Sequence, residues 1–355
     1  MNRHIAQAFA AGFALLAAAA VAQAPPPVAP AEATTTLETV VVSGEMPGPG
    51  LWRVERDGHE LYVLGTVSPL SAEMDWVSTE VEGILDRADE VIAPGGAYAE
   101  VGASDTFKIA LLAPSAIAAM KLPDGGRLVD VLPAPVHARW REMRAKYLPD
   151  RDKVERSRPM FASQDLYYAA IDVVGLTRDD VVWQRVRELA EARGIPVTAT
   201  SVGFPLALDR RRYRDGIAAL AGSRIDDTTC FTSTLDSLET DLQAMRAGAN
   251  AWAVGDFETL LAPGIAGRVP ACKPVYDSVL GFQARPERDA EARDAWFAAA
   301  DAALRRNAVS FAVLPFAELD GDAGALARLR AAGGAVIAPF GADAAIAAGG
   351  VDATD

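Results

Sequence analysis

The chain has little of what metal and nucleophilic chemistry are commonly built from. Its 355 residues contain three histidines, His4, His59 and His137, and two cysteines, Cys230 and Cys272. A zinc site of the usual Cys/His type therefore has almost nothing to draw on. Glycine-rich phosphate loops are missing, because Gly95-Gly96 and Gly333-Gly334 lack the lysine or acidic partner such loops carry. So is the Gly-x-Ser-x-Gly elbow: the strand-end Ser68 sits in Thr66-Val67-Ser68-Pro69-Leu70, and no histidine base is evident. Positive charge is short as well. Lys plus Arg is 34 against 48 Asp plus Glu, a net charge of −14, which argues against nucleic acid and anionic membrane surfaces as main partners. Beyond Val21 no stretch approaches the length of a membrane-spanning helix.

What is present describes an exported globular protein. Half of the residues are apolar and 23% are charged, enough for a sizeable core. Arg3 precedes an apolar run from Ile5 to Val21, and Ala20-Val21-Ala22 offers an A-x-A cleavage pattern with Gln23 as the new N-terminus. Residues 1–22 read as a signal peptide; an uncleaved anchor is the competing reading. Cleavage removes one positive charge, Arg3, and leaves −15. The protein is then expected in the periplasm or secreted, with no stable membrane span. In an oxidising compartment Cys230 and Cys272, 42 positions apart, pair as a disulfide; two free buried thiols are the alternative. Residues 23–50 form a Pro/Ala-rich linker. Within it Glu38-Thr39-Val40-Val41-Val42 resembles the box by which TonB-dependent receptors pair with their energising partner through strand addition, although a plain edge strand explains it too.

The body spans 51–340, and the Ala/Gly/Asp-rich residues 341–355 read as a flexible tail. Leu51–Arg56 and Glu60–Val67 around Asp57-Gly58 form a hairpin. Trp76, Val77, Val81, Ile84 and Leu85 mark a helical stripe, and Glu90–Ala93 a short strand. Helices then dominate, among them Ala138–Lys146, Phe161–Val174 and Val181–Ala192, the last ended by Gly194. Ile195–Thr200 reads as a strand, with more helix to about Ala247. Glu287–Arg306 is helical, Ser310–Leu314 a buried strand, Ala323–Ala331 a helix and Gly334–Pro339 a final strand. Strands alternating with helices at both ends, with a helical insert between, make an α/β fold with a mixed sheet and flanking helices.

Three stretches carry a resemblance. They are Leu51-Trp52-Arg53-Val54 with Leu61-Tyr62-Val63-Leu64-Gly65-Thr66; Ala251-Trp252-Ala253-Val254-Gly255-Asp256; and Arg293-Asp294-Ala295-Trp296 followed by a strand, Gly321, Leu326 and Gly333. In order and spacing they resemble the TraB/GumN family, which includes the Tiki metalloproteases, over roughly residues 50–340. The resemblance implies two related strand–helix halves facing one site. In active members that site binds a divalent metal and cleaves peptide or related bonds. The functional positions do not carry over. Where the family has Gly-x-x-His, this chain has Gly65-Thr66-Val67-Ser68. The strand-end glutamates are replaced at Ala93 and Thr200, the Arg-Asn pair reads Arg293-Asp294, and the closing histidine falls within Pro315-Phe316-Ala317-Glu318.

The ligand inventory agrees. His59 falls in the expected hairpin turn and His137 at the start of a surface-type helix, so neither reads as a ligand. Glu318, Asp320 and Asp322 follow a buried strand, where α/β sites form, although a solvated acidic turn explains them too. No metal or cofactor is expected. Arg210, Arg211, Arg212 and Arg214 stand out in an acidic chain and read either as a solvated helix face or as a docking patch for an acidic partner or a polysaccharide. The leading expectation is a catalytically inactive relative with a binding or scaffolding role in the cell envelope. The rivals are an active metal-dependent protease or hydrolase with rearranged ligands, and a TonB-coupled accessory protein. Geometry separates the first two: convergence of Ser68, Thr200, Asp294 and Glu318 with further carboxylates in one cleft restores the enzyme reading.

Overall fold

The chain enters its sheet through a two-residue turn. Asp57 and Gly58 both take positive φ, 53° and 83°, the backbone of a type I′ turn, whose twist suits the strands it joins. The turn closes β1 (Leu51–Arg56) onto β2 (His59–Thr66), with Leu51 opposite Leu64 and Arg56 opposite His59. In this computed structural model the described residues are 48–74, 76, 78–205, 210–221, 226–262, 271–273, 286–319, 324–339 and 342. The expected signal peptide, the TonB-like box and most of the expected linker and tail lie outside them. The last linker positions pack: Gly48 and Pro49 are buried, and a Cβ on Gly50 would meet the Phe257 ring at 2.5 Å. Packing thus begins by Gly48 rather than at Leu51.

After the hairpin come β3 (Leu70–Ser71), α1 (Thr79–Leu85), β4 (Glu90–Ile92) and β5 (Gly96–Glu100). Trp76 precedes α1 instead of belonging to it. The helical region runs through α2 (Ala103–Ala119), α3 (Leu128–Val131), α4 (Ala134–Tyr147) and α5 (Pro159–Val173). It continues through β6 (Leu176–Thr177) and α6 (Val181–Arg193), which ends at Gly194 in the left-handed conformation, φ 69°. Next come β7 (Val197–Thr198), β8 (Ser201–Pro205), α7 (Arg210–Ala221), α8 (Thr228–Val254) and α9 (Phe257–Leu260). The closing elements are α10 (Pro286–Arg306), β9 (Val309–Pro315), α11 (Phe316–Leu319), α12 (Ala325–Ala331) and β10 (Ala335–Ile337).

Six strands form a mixed sheet in the order β10-β1-β2-β9-β4-β7. The hairpin and β10 supply the antiparallel part, while β2, β9, β4 and β7 run parallel. β9 lies at the centre. Val309 to Leu314 are all buried, which is why this strand reads as one apolar run rather than an alternation. The strand expected over Ile195–Thr200 forms as β7 alone, and where helix was expected next β8 leaves the main sheet to pair in parallel with β5, Gly96 opposite Ser201 and Glu100 opposite Pro205. Two segments therefore share one plan, strand, bend, second strand, helix: β4–β5–α2 and β7–β8–α7.

α10 packs across both the central strands and this small ribbon. Its Trp296 is buried and donates through Nε1 to the Val313 carbonyl at 3.2 Å. In the helical insert α5 packs on α8, and the buried Trp140 and Phe231 rings lie 5.4 Å apart. Cys230, in the first turn of α8, is bonded to Cys272 at 2.07 Å. The pair packs with Ala119, Met160 and Phe161 in a small apolar cluster beside the main core.

Candidate functional site

Because β2, β9, β4 and β7 are parallel, their carboxyl ends share one edge of the sheet. That edge carries most of the positions singled out in the sequence. Thr66 closes β2 opposite Pro315, the last residue of β9. Ala93 follows β4 and Thr200 follows β7. α/β proteins bind ligands at such an edge.

Gly65 is buried just before this edge. Its carbonyl accepts a hydrogen bond from Trp252 Nε1 at 2.7 Å, and a Cβ at position 65 would meet Leu319 Cδ1 at 2.6 Å and Phe316 Cδ2 at 3.2 Å. Trp252 lies in the last turn of α8. Three residues on, Gly255 takes φ 67° and ends the helix, as a C-terminal glycine does. Asp256 then accepts from the Thr259 amide at 3.1 Å and opens α9. Trp-Ala-Val-Gly-Asp is thus a helix stop, a helix start and a clamp on the strand end. Sequence reasoning missed the clamp, although a buried indole needs an acceptor for its N–H. A contact 187 residues away in sequence is what that rule could not supply.

Thr66 is half-buried and Ser68 exposed. Thr200 is buried, and its hydroxyl donates to the Ala93 carbonyl at 3.0 Å. The Ala93 amide donates to Thr198 O at 2.9 Å. A Cβ on Gly95, between the two ribbon bends, would meet the Ala292 carbonyl at 3.3 Å and Trp296 Cβ at 3.5 Å, so α10 sits directly on the chain here. The ends of β4 and β7 therefore bond to each other and lie under α10.

The remaining positions surround a shallow cleft beside the end of β9, with room for little more than a water molecule, formed by Glu318 with Arg293, Trp296, Phe297, Leu314, Ala325 and Arg328. Glu318 is half-buried. Burial raises its pKa above the ordinary glutamate value; Arg293 opposes the rise and Asp289 adds to it. Arg328 lies over the Phe297 ring at 4.2 Å and pairs with the exposed Asp294 at 2.9 Å. The structure thus brings Glu318 and Arg293 together, with Asp294 joined to them through Arg328. Ser68 and Thr200 are not among the residues lining this cleft. Asp320 and Asp322 lie outside the described residues. Arg328 and Phe297 were not anticipated; only their packing reveals them.

Two histidine readings need correction. His59 is not a free turn residue: it opens β2, is half-buried, and its Nδ1 lies 2.6 Å from the Asn307 carbonyl. His137 is not on an open helix surface either. Its Nε2 lies 3.7 Å from buried Glu155, which also accepts from Trp140 Nε1 at 2.7 Å. Tertiary packing brings in partners that neither local sequence displays. Of the arginine cluster, Arg211 and Arg214 are exposed on α7; the side chains of Arg210 and Arg212 are outside the described set.

The opposite edge of the sheet holds the tightest polar network. Glu90, at the start of β4, accepts from Arg306 at 2.5 Å, from Asn307 at 2.6 Å and from Thr198. Its burial favours the protonated form, but these hydrogen bonds outweigh it and hold the pKa below the ordinary value. That network fastens the end of α10 to the sheet.

A divalent metal needs several carboxylate or imidazole donors in reach of one point. At the carboxyl edge the candidate positions supply the hydroxyls of Thr66, Ser68 and Thr200, the Ala93 methyl group and the Glu318 carboxylate, with the Asp294 carboxylate paired to Arg328. Among the described residues no three His, Cys, Asp or Glu side chains gather as they would around an ion. The described residues at this edge do not supply the ligand set that the family resemblance implies; Asp320 and Asp322 lie outside them.

Fold and edge together define an α/β protein in which a half-parallel sheet is clamped by tryptophans from α8 and α10, with the strand ends as its candidate site. The model of the TraB/PrgY/gumN family matches residues 50–337, and the chain belongs to that family. No curated protein and no solved structure matches it. No helix among the described residues is long and apolar enough to cross a membrane.

Proposed function

We propose that this chain is an exported TraB-family protein that has lost metal-dependent hydrolysis and works by binding in the cell envelope, with an envelope protein or a polysaccharide as its partner. One observation carries the reading. Where the family resemblance calls for a histidine and two glutamates, the strand ends hold Ser68, Ala93 and Thr200, and the Thr200 hydroxyl is spent on the Ala93 carbonyl at 3.0 Å. Export is supported by the signal-like N-terminus and by the bonded Cys230–Cys272 pair, which belongs in an oxidising compartment.

Elemental analysis of protein purified without an affinity tag tests this. The expected result is no stoichiometric zinc, manganese or cobalt and no chelator-sensitive peptidase activity. About one equivalent of metal, lost together with hydrolysis on chelation, would overturn the proposal. A converse test restores the first missing ligand: Ser68→His alone should create no activity, because Ala93 and Thr200 still lack carboxylates. One observation favours the active-hydrolase alternative, namely the half-buried Glu318 beside Arg293, whose pKa burial raises above the ordinary glutamate value. If that reading is right, Glu318→Gln abolishes a hydrolysis that the unmodified protein performs.

A further inference from the structure

Soluble helices ordinarily turn their apolar side inward. α2 is apolar on both sides. Its half-buried positions are Ile109, Leu112, Ala113 and Ala116. Around the opposite side run Phe107, Ala110, Leu111, Pro114, Ile117 and Ala118, all exposed. Phe107 is 67% exposed, Leu111 55% and Ile117 56%. No charged side chain is described on that stripe. Nearby, Tyr98 of β5 and Val101 are also exposed. An outward apolar stripe of this kind on a folded protein marks an interaction surface.

The helix packed beside it indicates what covers the stripe. α7 reads RRRYRDGIAALA, the densest positive cluster in a chain whose net charge is −14. Arg211 and Arg214 are exposed there, with Asp215 the one acidic residue of the helix. α2 carries one acidic residue, Asp105, half-buried in its first turn. Apolar side chains beside arginines are the pairing that anionic lipid surfaces bind: hydrocarbon enters the headgroup boundary while cations meet phosphates.

We infer that α2 and the adjoining arginines of α7 dock the protein on an anionic bilayer surface, with Phe107, Leu111 and Ile117 entering the interface and Arg211 and Arg214 facing lipid phosphates. The net negative charge argued against such a surface, but an average hides where charge sits. At physiological salt, charges act over roughly 8 Å, so acidic residues on distant faces repel the bilayer little. Their main effect is to orient the molecule, arginines down. A second copy of the chain suits the surface less well, because a two-fold contact through α2 gathers two arginine clusters at one interface. This inference is independent of whether the strand-end site is active.

Flotation of the mature chain, from Gln23 to Asp355, with vesicles tests it. Phosphatidylglycerol/phosphatidylcholine vesicles are compared with pure phosphatidylcholine, at low and high salt. The chain is expected to bind the anionic vesicles, to release with salt, and to bind the neutral ones far less. Phe107→Ser with Leu111→Ser should weaken anionic binding more than tenfold, and Arg211→Gln with Arg214→Gln by a similar factor. All four side chains are exposed, and circular dichroism matching the wild type is required of both double variants before their binding is read. No binding to the anionic vesicles overturns the inference, as does binding that ignores the α2 substitutions. A dimer that the α2 substitutions turn into monomers, with no vesicle binding, also overturns it and makes the stripe a self-association face.

Discussion

Gly65 has no room for a methyl group, and Trp252 has no better place for its N–H than the Gly65 carbonyl. The two residues secure the end of β2 from opposite directions, sterically and by a hydrogen bond. Trp252→Phe keeps an aromatic ring but removes the pyrrole part of the indole and leaves a buried carbonyl without its donor, which should destabilise by about 1–3 kcal/mol from the lost bond, and further from the lost packing. Gly65→Ala should cost about as much through overpacking against Leu319. Urea midpoints measure both, and midpoints equal to the parent's would mean the clamp contributes nothing. Glu318 calls for a titration. Burial keeps its proton on to higher pH in the folded chain than in the unfolded one. Stability is therefore lost as pH rises from the ordinary glutamate value, about 4.3, through the raised one, and the loss is complete above it. Glu318→Gln cannot titrate, so its stability relative to the parent should climb across that window and level off. A difference that is flat with pH would count against a buried, titrating Glu318. The residues responsible for both effects were visible in the sequence; their partners were not.

At the scale of elements, legibility followed local signals. The Asp57-Gly58 turn, the glycine after α6 and the long apolar period of α10 each carry their structure within a few residues, and each element formed where those signals put it. β5 and β8 carry no such signal. Gly-Ala-Tyr-Ala-Glu and Ser-Val-Gly-Phe-Pro are short and largely exposed, and they become strands by pairing with each other across about a hundred residues of chain. The disulfide lies between these cases. Its cysteines are obvious, yet its role appears only in packing: Cys272 accepts from Ser163 Oγ at 3.2 Å, and Cys230 packs by Met160 and Phe161. Closing a 42-residue separation should stabilise the fold by about 4 kcal/mol in the chain-entropy model. Replacing both cysteines by serine should lower the melting temperature by on the order of 10 °C. An unchanged melting temperature would mean the reduced chain keeps these helices together unaided.

For the whole molecule, the sequence told where the site should be better than what it does. Gly65, Ala93, Thr200 and Glu318 are scattered over 253 positions, and the parallel order of β2, β9, β4 and β7 gathers them on one edge. The cleft beside Glu318 was not legible, because Arg328 and Phe297 reach it from helices that fold back separately. Compartment ties these features together. A chain that relies on Cys230–Cys272 has to mature where thiols oxidise, and a chain docking by α2 needs a membrane within reach. Both conditions are met on the outer side of a cytoplasmic membrane, after the segment up to Ala22 has been removed. Intact-mass measurement of protein made from the full chain in a bacterial host reads both events together. The expected species begins at Gln23 and is lighter by two hydrogens than its reduced form. It should also resist thiol labelling under denaturing conditions until a reductant is added. A full-length species with two reactive thiols would place the protein in a reducing compartment, remove the support for export, and leave the α2 surface facing a different membrane or none.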